Sequence, residues 1–229
     1  MDVLDKIEGK LVVSCQALED EPLHGADIMA KMARAAEIGG AAGIRANGPE
    51  DIRAIKKEVE LPLIGIEKNM DYEAGIYITP TMREVSRVVE AGADIIAVDA
   101  TKCGRPFGQS LREFIDEIKS SFDIPVMGDI SVLEEGLRAE QIGFDLVGTT
   151  LSGYTEHSPD KEGPDFELLE DLLYELSIPV IMEGRISSPE QAGKALDMGA
   201  HAVVVGSAIT RPRKITARFV EGIEKRMSL

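Results

Sequence analysis

Apolar, often β-branched runs in this sequence repeatedly end in a polar side chain. The ends are Gln16, Arg45, Lys68, Asp99 with Thr101 and Lys102, Asp129, Thr149 with Thr150, Glu183 with Arg185, and Ser207. Among them are one candidate amine, Lys68, and three carboxylates, Asp99, Asp129 and Glu183, a set suited to moving protons. In Ile64-Gly65-Ile66-Glu67-Lys68, a period of two places Ile64, Ile66 and Lys68 on one side of a strand. A lysine closing an apolar file is partly desolvated, which lowers its pKa toward neutrality. It can then take or deliver a proton, or form a Schiff base. Glu67 is an acidic neighbour that would raise the lysine pKa unless its side chain faces the other way.

A second group suits an anion. Gly184-Arg185 and Gly206-Ser207 offer backbone N–H groups that a larger side chain would obstruct, and Arg211 adds a guanidinium for a dianion.

These residues need a scaffold that brings chain positions from 16 to 211 together. The short runs Leu11–Gln16, Gly43–Ala46, Leu63–Lys68, Asp94–Thr101, Pro125–Ile130, Asp145–Leu151, Pro179–Arg185 and Ala202–Ser207 read as eight strands, each followed by a helical pattern. Such alternation calls for a parallel sheet covered by helices. Caps support the helices: Ser188-Pro189-Glu190-Gln191, the S/T-x-x-E spacings at Thr81, Ser110 and Ser131, and Asp165 before an apolar stretch. The strand-entry phrase Leu61-Pro62-Leu63 recurs as Ile124-Pro125-Val126 and Ile178-Pro179-Val180, at spacings of 63 and 54 residues. A unit of that length holds two βα pairs, so four units make a (β/α)₈ TIM barrel over residues 1–229. A doubly wound open sheet is the alternative. Its Gly-rich turn after the first strand is missing, since Ser14-Cys15-Gln16-Ala17 stands there. In a barrel the polar strand ends converge on one face. The glycine pairs then follow strands 7 and 8, where barrels commonly bind phosphate. Long loops follow strand 3, at Asn69–Pro80 with Tyr72 and Tyr77, and strand 6, at Ser152–Pro164.

Composition narrows the function further. The 229 residues hold 25 Lys+Arg and 41 Asp+Glu, a net charge of −16, which disfavours nucleic-acid and anionic-membrane partners. The absence of Trp removes one means of stacking single-stranded nucleic acid. Apolar runs fall short of a membrane span and the first residues lack a signal-peptide pattern, so the expected location is cytoplasmic. Basic residues Arg45, Lys68, Lys102, Arg105, Arg185, Arg211, Arg213 and Lys214 sit at strand ends or just after them, predicting a basic mouth in an acidic exterior. His24, His157 and His201 lie far apart, so no metal site is expected. His201, at the start of a strand, reads as structural, and Cys15 and Cys103 as inert thiols.

Several phrases, taken together, resemble the bacterial N-acetylmannosamine-6-phosphate 2-epimerases of sialic-acid catabolism. They are Val13-Ser-Cys-Gln-Ala-Leu18 with Glu21-Pro-Leu-His24, Gly39-Gly-Ala-Ala-Gly-Ile-Arg-Ala46, Tyr77-Ile-Thr-Pro-Thr81, Asp99-Ala-Thr-Lys102, Thr149-Thr-Leu-Ser-Gly-Tyr-Thr155, Glu183-Gly-Arg-Ile186 and Val205-Gly-Ser-Ala-Ile-Thr-Arg-Pro212. They span nearly the whole chain. The first and fifth are specific, while the last two are shared by many phosphate-binding barrels of the ribulose-phosphate-binding kind.

The resemblance implies an isomerase that interconverts N-acetylmannosamine 6-phosphate and N-acetylglucosamine 6-phosphate by proton transfer at C2, without a cofactor. Its catalytic pair falls on Lys68 and Glu183. Sugar contacts fall on Gln16, Arg45 and Asp129, with Thr150 counted beside them. The phosphate-contacting arginine falls on Arg211, beside the cradle of Gly184, Arg185, Gly206 and Ser207 read from the residues themselves. Gly206-Ser207 stands where many members carry two glycines. The expected partner is a small phosphorylated amino sugar, and a homodimer is left open. Two other readings remain: a different phosphosugar isomerase or decarboxylase on the same scaffold, and a non-catalytic phosphosugar-binding protein.

Overall fold

The structure is a computed structural model that describes residues 2–72 and 75–227. Eight parallel strands close in chain order, and the last pairs with the first. They are β1 (Lys10–Cys15), β2 (Gly43–Asn47), β3 (Leu63–Ile66), β4 (Ile95–Asp99), β5 (Val126–Asp129), β6 (Leu146–Gly148), β7 (Val180–Glu183) and β8 (Ala202–Val205). The barrel is therefore as the alternation required, with eight strands at the expected places. Arg45, Asp99, Asp129 and Glu183 stay in the ladder as paired strand residues, whereas Gln16, Lys68, Thr149 and Thr150 lie just beyond the strand ends. The helices are α1 (Val3–Ile7), α2 (Ala26–Ile38), α3 (Pro49–Glu58), α4 (Met82–Glu90), α5 (Leu111–Ser121), α6 (Leu133–Ile142), α7 (Phe166–Glu175), α8 (Pro189–Asp197), α9 (Ser207–Thr210) and α10 (Pro212–Met227).

Two apolar layers follow from the strand period. Val12, Ile64, Ile66, Ile95, Ala97, Met127, Leu146, Ile181, Ala202 and Val204 fill the barrel interior. Their alternating neighbours, among them Val13, Ile44, Ile96, Val98 and Val203, pack outward on the helices. Each fully buried aliphatic side chain contributes ~1.5–3 kcal/mol. One interior glycine has a steric reason: a Cβ on Gly148 would lie 2.2 Å from the Met127 methyl. Beneath the interior layer, α1 closes the N-terminal end with Ile7, Val3 and Leu4. There the His201 ring bonds the Leu4 carbonyl at 3.1 Å, the structural role expected of it.

Local start signals act as read at three helices. Ser110 and Glu113 form a reciprocal capping box, Asp165 accepts from the Leu168 amide, and Ser188 accepts from the Gln191 amide. The box at α6 is displaced by one residue. Glu135, not Glu134, turns back to the amides of Ser131 and Val132, since Val132 is the residue that leaves helical geometry. The loop after β3 runs through residues 69–80; Glu73 and Ala74 in it lie outside the described residues.

Candidate active site

Period two decides which strand-end residues enter the barrel. Ser14 and Gln16 continue the inward file of Val12, Lys68 that of Ile64 and Ile66, Asp99 that of Ala97, Asp129 that of Met127, and Glu183 that of Ile181. Ser14, Gln16, Lys68 and Glu183 open onto a cavity of about 570 Å³ at the C-terminal ends of the strands. This volume suits one small ligand. Gln16, Arg45, Lys68, Thr150, Glu183, Gly184, Arg185, Gly206, Ser207 and Arg211 all line it.

The floor is one charged network. Arg45, 1% exposed, donates to Asp129 Oδ1 and Oδ2 at 3.0 and 2.6 Å and to Glu183 Oε2 at 2.7 Å. Thr150 Oγ1 adds a 2.6 Å bond to Asp129 Oδ1 and a 3.3 Å bond to Glu183. The Arg45 Nε atom is buried without a partner. Thr149 locks the backbone of the acid: its hydroxyl accepts from the Glu183 amide at 3.0 Å and donates to the Glu183 carbonyl at 2.7 Å. Asp129 is fully buried and absent from the cavity lining, because both oxygens serve Arg45. It holds the floor from behind, a different place from the sugar contact expected of it. Asp99 is also below the lining, where it accepts from the Thr101 amide and hydroxyl at 3.0 and 2.6 Å.

Lys68 stands over this network. Its backbone amide is held by Asn47 Oδ1 at 2.8 Å, and it bridges to Ile78 across the β3 loop. Burial, followed by the cationic Arg45 and Arg211, lowers its pKa to about 8. The Glu67 carboxylate faces away, toward α4, where it pairs with Arg87 at 3.2 Å. Glu183 moves in the opposite direction. Burial pushes its pKa up to about 7, against the pull of Arg45 and with a push from Asp129. An amine near 8 and a carboxyl near 7 can each carry or lack the proton around neutrality, the property required of an acid–base pair.

The remaining basic residues sort by environment. Arg211 lies on the cavity wall and pairs with Glu21 at 3.3 Å. Arg105 is buried, bonding the carbonyls of Asp99 and Pro80, so it braces the loops instead of joining the mouth. Lys102 is exposed outside the cavity, and Arg213 is paired with Asp20 and Glu21. The mouth gains Lys214 and, unforeseen, Arg218, one helical turn further on in α10. Arg185 lines the cavity, but its guanidinium is bonded to the carbonyls of Gly163 and Ser152 at 2.8 and 2.7 Å.

Sequence reasoning assigned no role to Ser14, Tyr77, Tyr154 or Glu162, which also line the cavity. Tyr77 and Tyr154 were visible inside motif phrases; nothing in the sequence marked the direction of their rings. Burial, with Asp129 and Asp99 nearby, pushes the Tyr77 phenol up to about 12, so it is a neutral hydroxyl. Cys15 is buried and its thiol is pushed up to about 12 by burial, in keeping with an inert group. Cys103 has a neighbour the sequence did not reveal, the His157 ring at 4.0 Å. Among the described residues, no three His, Cys, Asp or Glu side chains are grouped to hold a metal, and no helix is long and apolar enough to cross a membrane.

Comparison with known proteins agrees with this geometry. Residues 29–225 match a family model described as "Putative N-acetylmannosamine-6-phosphate epimerase". A protein of Caldanaerobacter subterraneus subsp. tengcongensis named "Putative N-acetylmannosamine-6-phosphate 2-epimerase" is 60% identical over 99% of this chain and 96% of its own. A Listeria monocytogenes protein of the same name is 49% identical over 97% of this chain and 95% of its own. The solved N-acetylmannosamine-6-phosphate 2-epimerase of Clostridium perfringens superposes with a TM-score of 0.94 at 52% identity, covering 96% of both chains. A Pyrococcus furiosus thiamine phosphate pyrophosphorylase, 19% identical with a TM-score of 0.60 over 91% of this chain and 89% of its own, shares the fold alone.

Proposed function

Because the chain belongs to the N-acetylmannosamine-6-phosphate epimerase family, we propose that it interconverts N-acetylmannosamine 6-phosphate and N-acetylglucosamine 6-phosphate by proton transfer at C2. The observation that carries this reading is the opposed shift of Lys68, down to about 8, and Glu183, up to about 7, in one cavity.

The proton α to the carbonyl of the open-chain sugar is the one to be moved. Neutral Lys68 removes it from C2, and reprotonation from the other face inverts the centre. Glu183 assists proton movement at O1 or the ring oxygen. The enediolate oxygen is stabilised by Arg45 or by the Gln16 amide, electrostatic work that is strongest in a site shielded from water. Arg45 suits this task because Asp129 holds it rigidly and its Nε is unpartnered. Gly184, Gly206, Ser207 and Arg211, which follow β7 and β8 and line the cavity, are assigned to the phosphate.

A turnover assay on N-acetylmannosamine 6-phosphate, with the unphosphorylated sugar beside it, tests the reading. Conversion of the phosphorylated sugar at a much higher kcat/KM is expected. No conversion of either, in protein that binds the phosphosugar, would leave a sensor in place of an enzyme.

A homodimer belongs to the same proposal. α10 exposes Phe219, Val220 and Ile223 at 72, 45 and 62%, an apolar side that a second copy would cover. Light scattering should give twice the chain mass, and Phe219→Glu should shift it toward the monomer.

A further inference from the structure

Arg185 occupies an unusual backbone position. It follows Gly184, whose φ of +111° favours glycine, and has itself a φ of +55° without being glycine. A left-handed non-glycine residue persists only where its surroundings hold it. What holds this one is the loop after β6. Nε donates to the Gly163 carbonyl at 2.8 Å and Nη1 to the Ser152 carbonyl at 2.7 Å, so the two ends of a long loop meet on one guanidinium. The Tyr154 ring lies 5.3 Å from its central carbon. Gly153 is shaped to admit the group, since a Cβ there would sit 2.1 Å from Nη1. Tyr154 and Glu162, both carried by this loop, line the cavity.

We propose that Arg185 is a positioning residue: its guanidinium fixes the β6–α7 loop as a wall of the sugar cavity, and it is not a ligand of the phosphate. This rests on the epimerase reading only for what the cavity holds. The position of the loop can be tested apart from turnover. Two charge-assisted bonds to carbonyls are each stronger than neutral ones. They replace packing in a segment rich in polar residues and poor in apolar ones, where local opening would otherwise be easy.

The test uses the full chain carrying Arg185→Ala, with Arg185→Lys as the second variant. Lysine keeps the charge and stem but cannot fork between two carbonyls. A glutamate-specific endoproteinase reports the loop through its exposed bonds at Glu156 and Glu162. Cleavage there should speed up at least about tenfold in Arg185→Ala, less in Arg185→Lys, and slow again when free guanidinium ion is added below denaturing concentrations. The affinity for inorganic phosphate, read as competition with the phosphosugar or as thermal stabilisation, should stay within about twofold of the parent. Unchanged cleavage with phosphate affinity lowered tenfold would overturn the proposal and make Arg185 a phosphate ligand. Unchanged cleavage and unchanged phosphate affinity would overturn it as well. A parent protein that turns over no phosphosugar yet shows the cleavage pattern would fail the epimerase reading and leave this one standing.

Discussion

Arg45 and Asp129 form a bidentate ion pair at 3.0 and 2.6 Å, with the arginine 1% and the aspartate 0% exposed. Both charges are buried and lean on each other, with Glu183 as a second partner of Arg45 and Thr150 as a second partner of Asp129. A buried pair of this kind is weak evidence for net stability, but breaking it is costly, because one charge is left stranded.

Arg45→Gln should therefore destabilise the fold by about 3–5 kcal/mol, readable as a lowered denaturation midpoint. The double variant Arg45→Gln with Asp129→Asn should recover part of that loss. If the double variant is as unstable as the sum of the singles, the pair is not coupled in this way.

Loss of the general base should lower turnover by ~10²–10⁴-fold, so Lys68→Ala is expected to lose that much kcat with a retained thermal transition. In D₂O the parent should place deuterium at C2 of the product, read by proton NMR. Near-parent turnover by Lys68→Ala would remove Lys68 from the chemistry.

Lys68 near 8 and Glu183 near 7 predict a narrow bell in kcat/KM against pH, its limbs belonging to the pair and not to either residue. The active form carries one proton between the two groups. Activity should rise through about pH 7 as the first proton leaves and fall through about pH 8 as the second does. Glu183→Gln should abolish one limb, and a flat profile from pH 6 to 9 would count against the assignment.

Asp99 is raised from 3.8 to about 6, by burial more than its Thr101 hydrogen bonds can offset. The protonated acid is thus favoured in the folded state. The stability it contributes is full below pH 3.8 and is lost as pH rises through 6. At pH 7.5 the charged group costs up to about 3 kcal/mol. Asp99→Asn should accordingly raise the melting temperature at pH 7.5 and leave it nearly unchanged at pH 4. Equal shifts at both values would show that its charge is not the cause.

Much of the site was legible from one dimension because a strand alternates. Once Ile64 and Ile66 point inward, Lys68 follows, and the same parity brings in Glu183 after Ile181 and Gln16 two residues beyond Ser14. Repeat spacing and strand–helix alternation likewise determined an eight-stranded barrel, since few architectures satisfy them. The lowered lysine pKa was foreseeable on the same grounds, burial at the end of an apolar file.

Tertiary structure decided how the charges are shared. Nothing local distinguishes Asp129, turned behind Arg45, from Glu183, which reaches the cavity; the difference is made by a guanidinium 84 residues away from one and 138 from the other. Arg185 and Arg105 looked like two more cations for a basic mouth. Each is consumed by backbone carbonyls that folding brings within reach, Arg105 by those of Pro80 and Asp99 and Arg185 by those of Ser152 and Gly163. Strand parity is a property of neighbouring residues and can be read along the chain. Competition among side chains for a partner depends on distances between distant segments, and those exist only in the folded molecule.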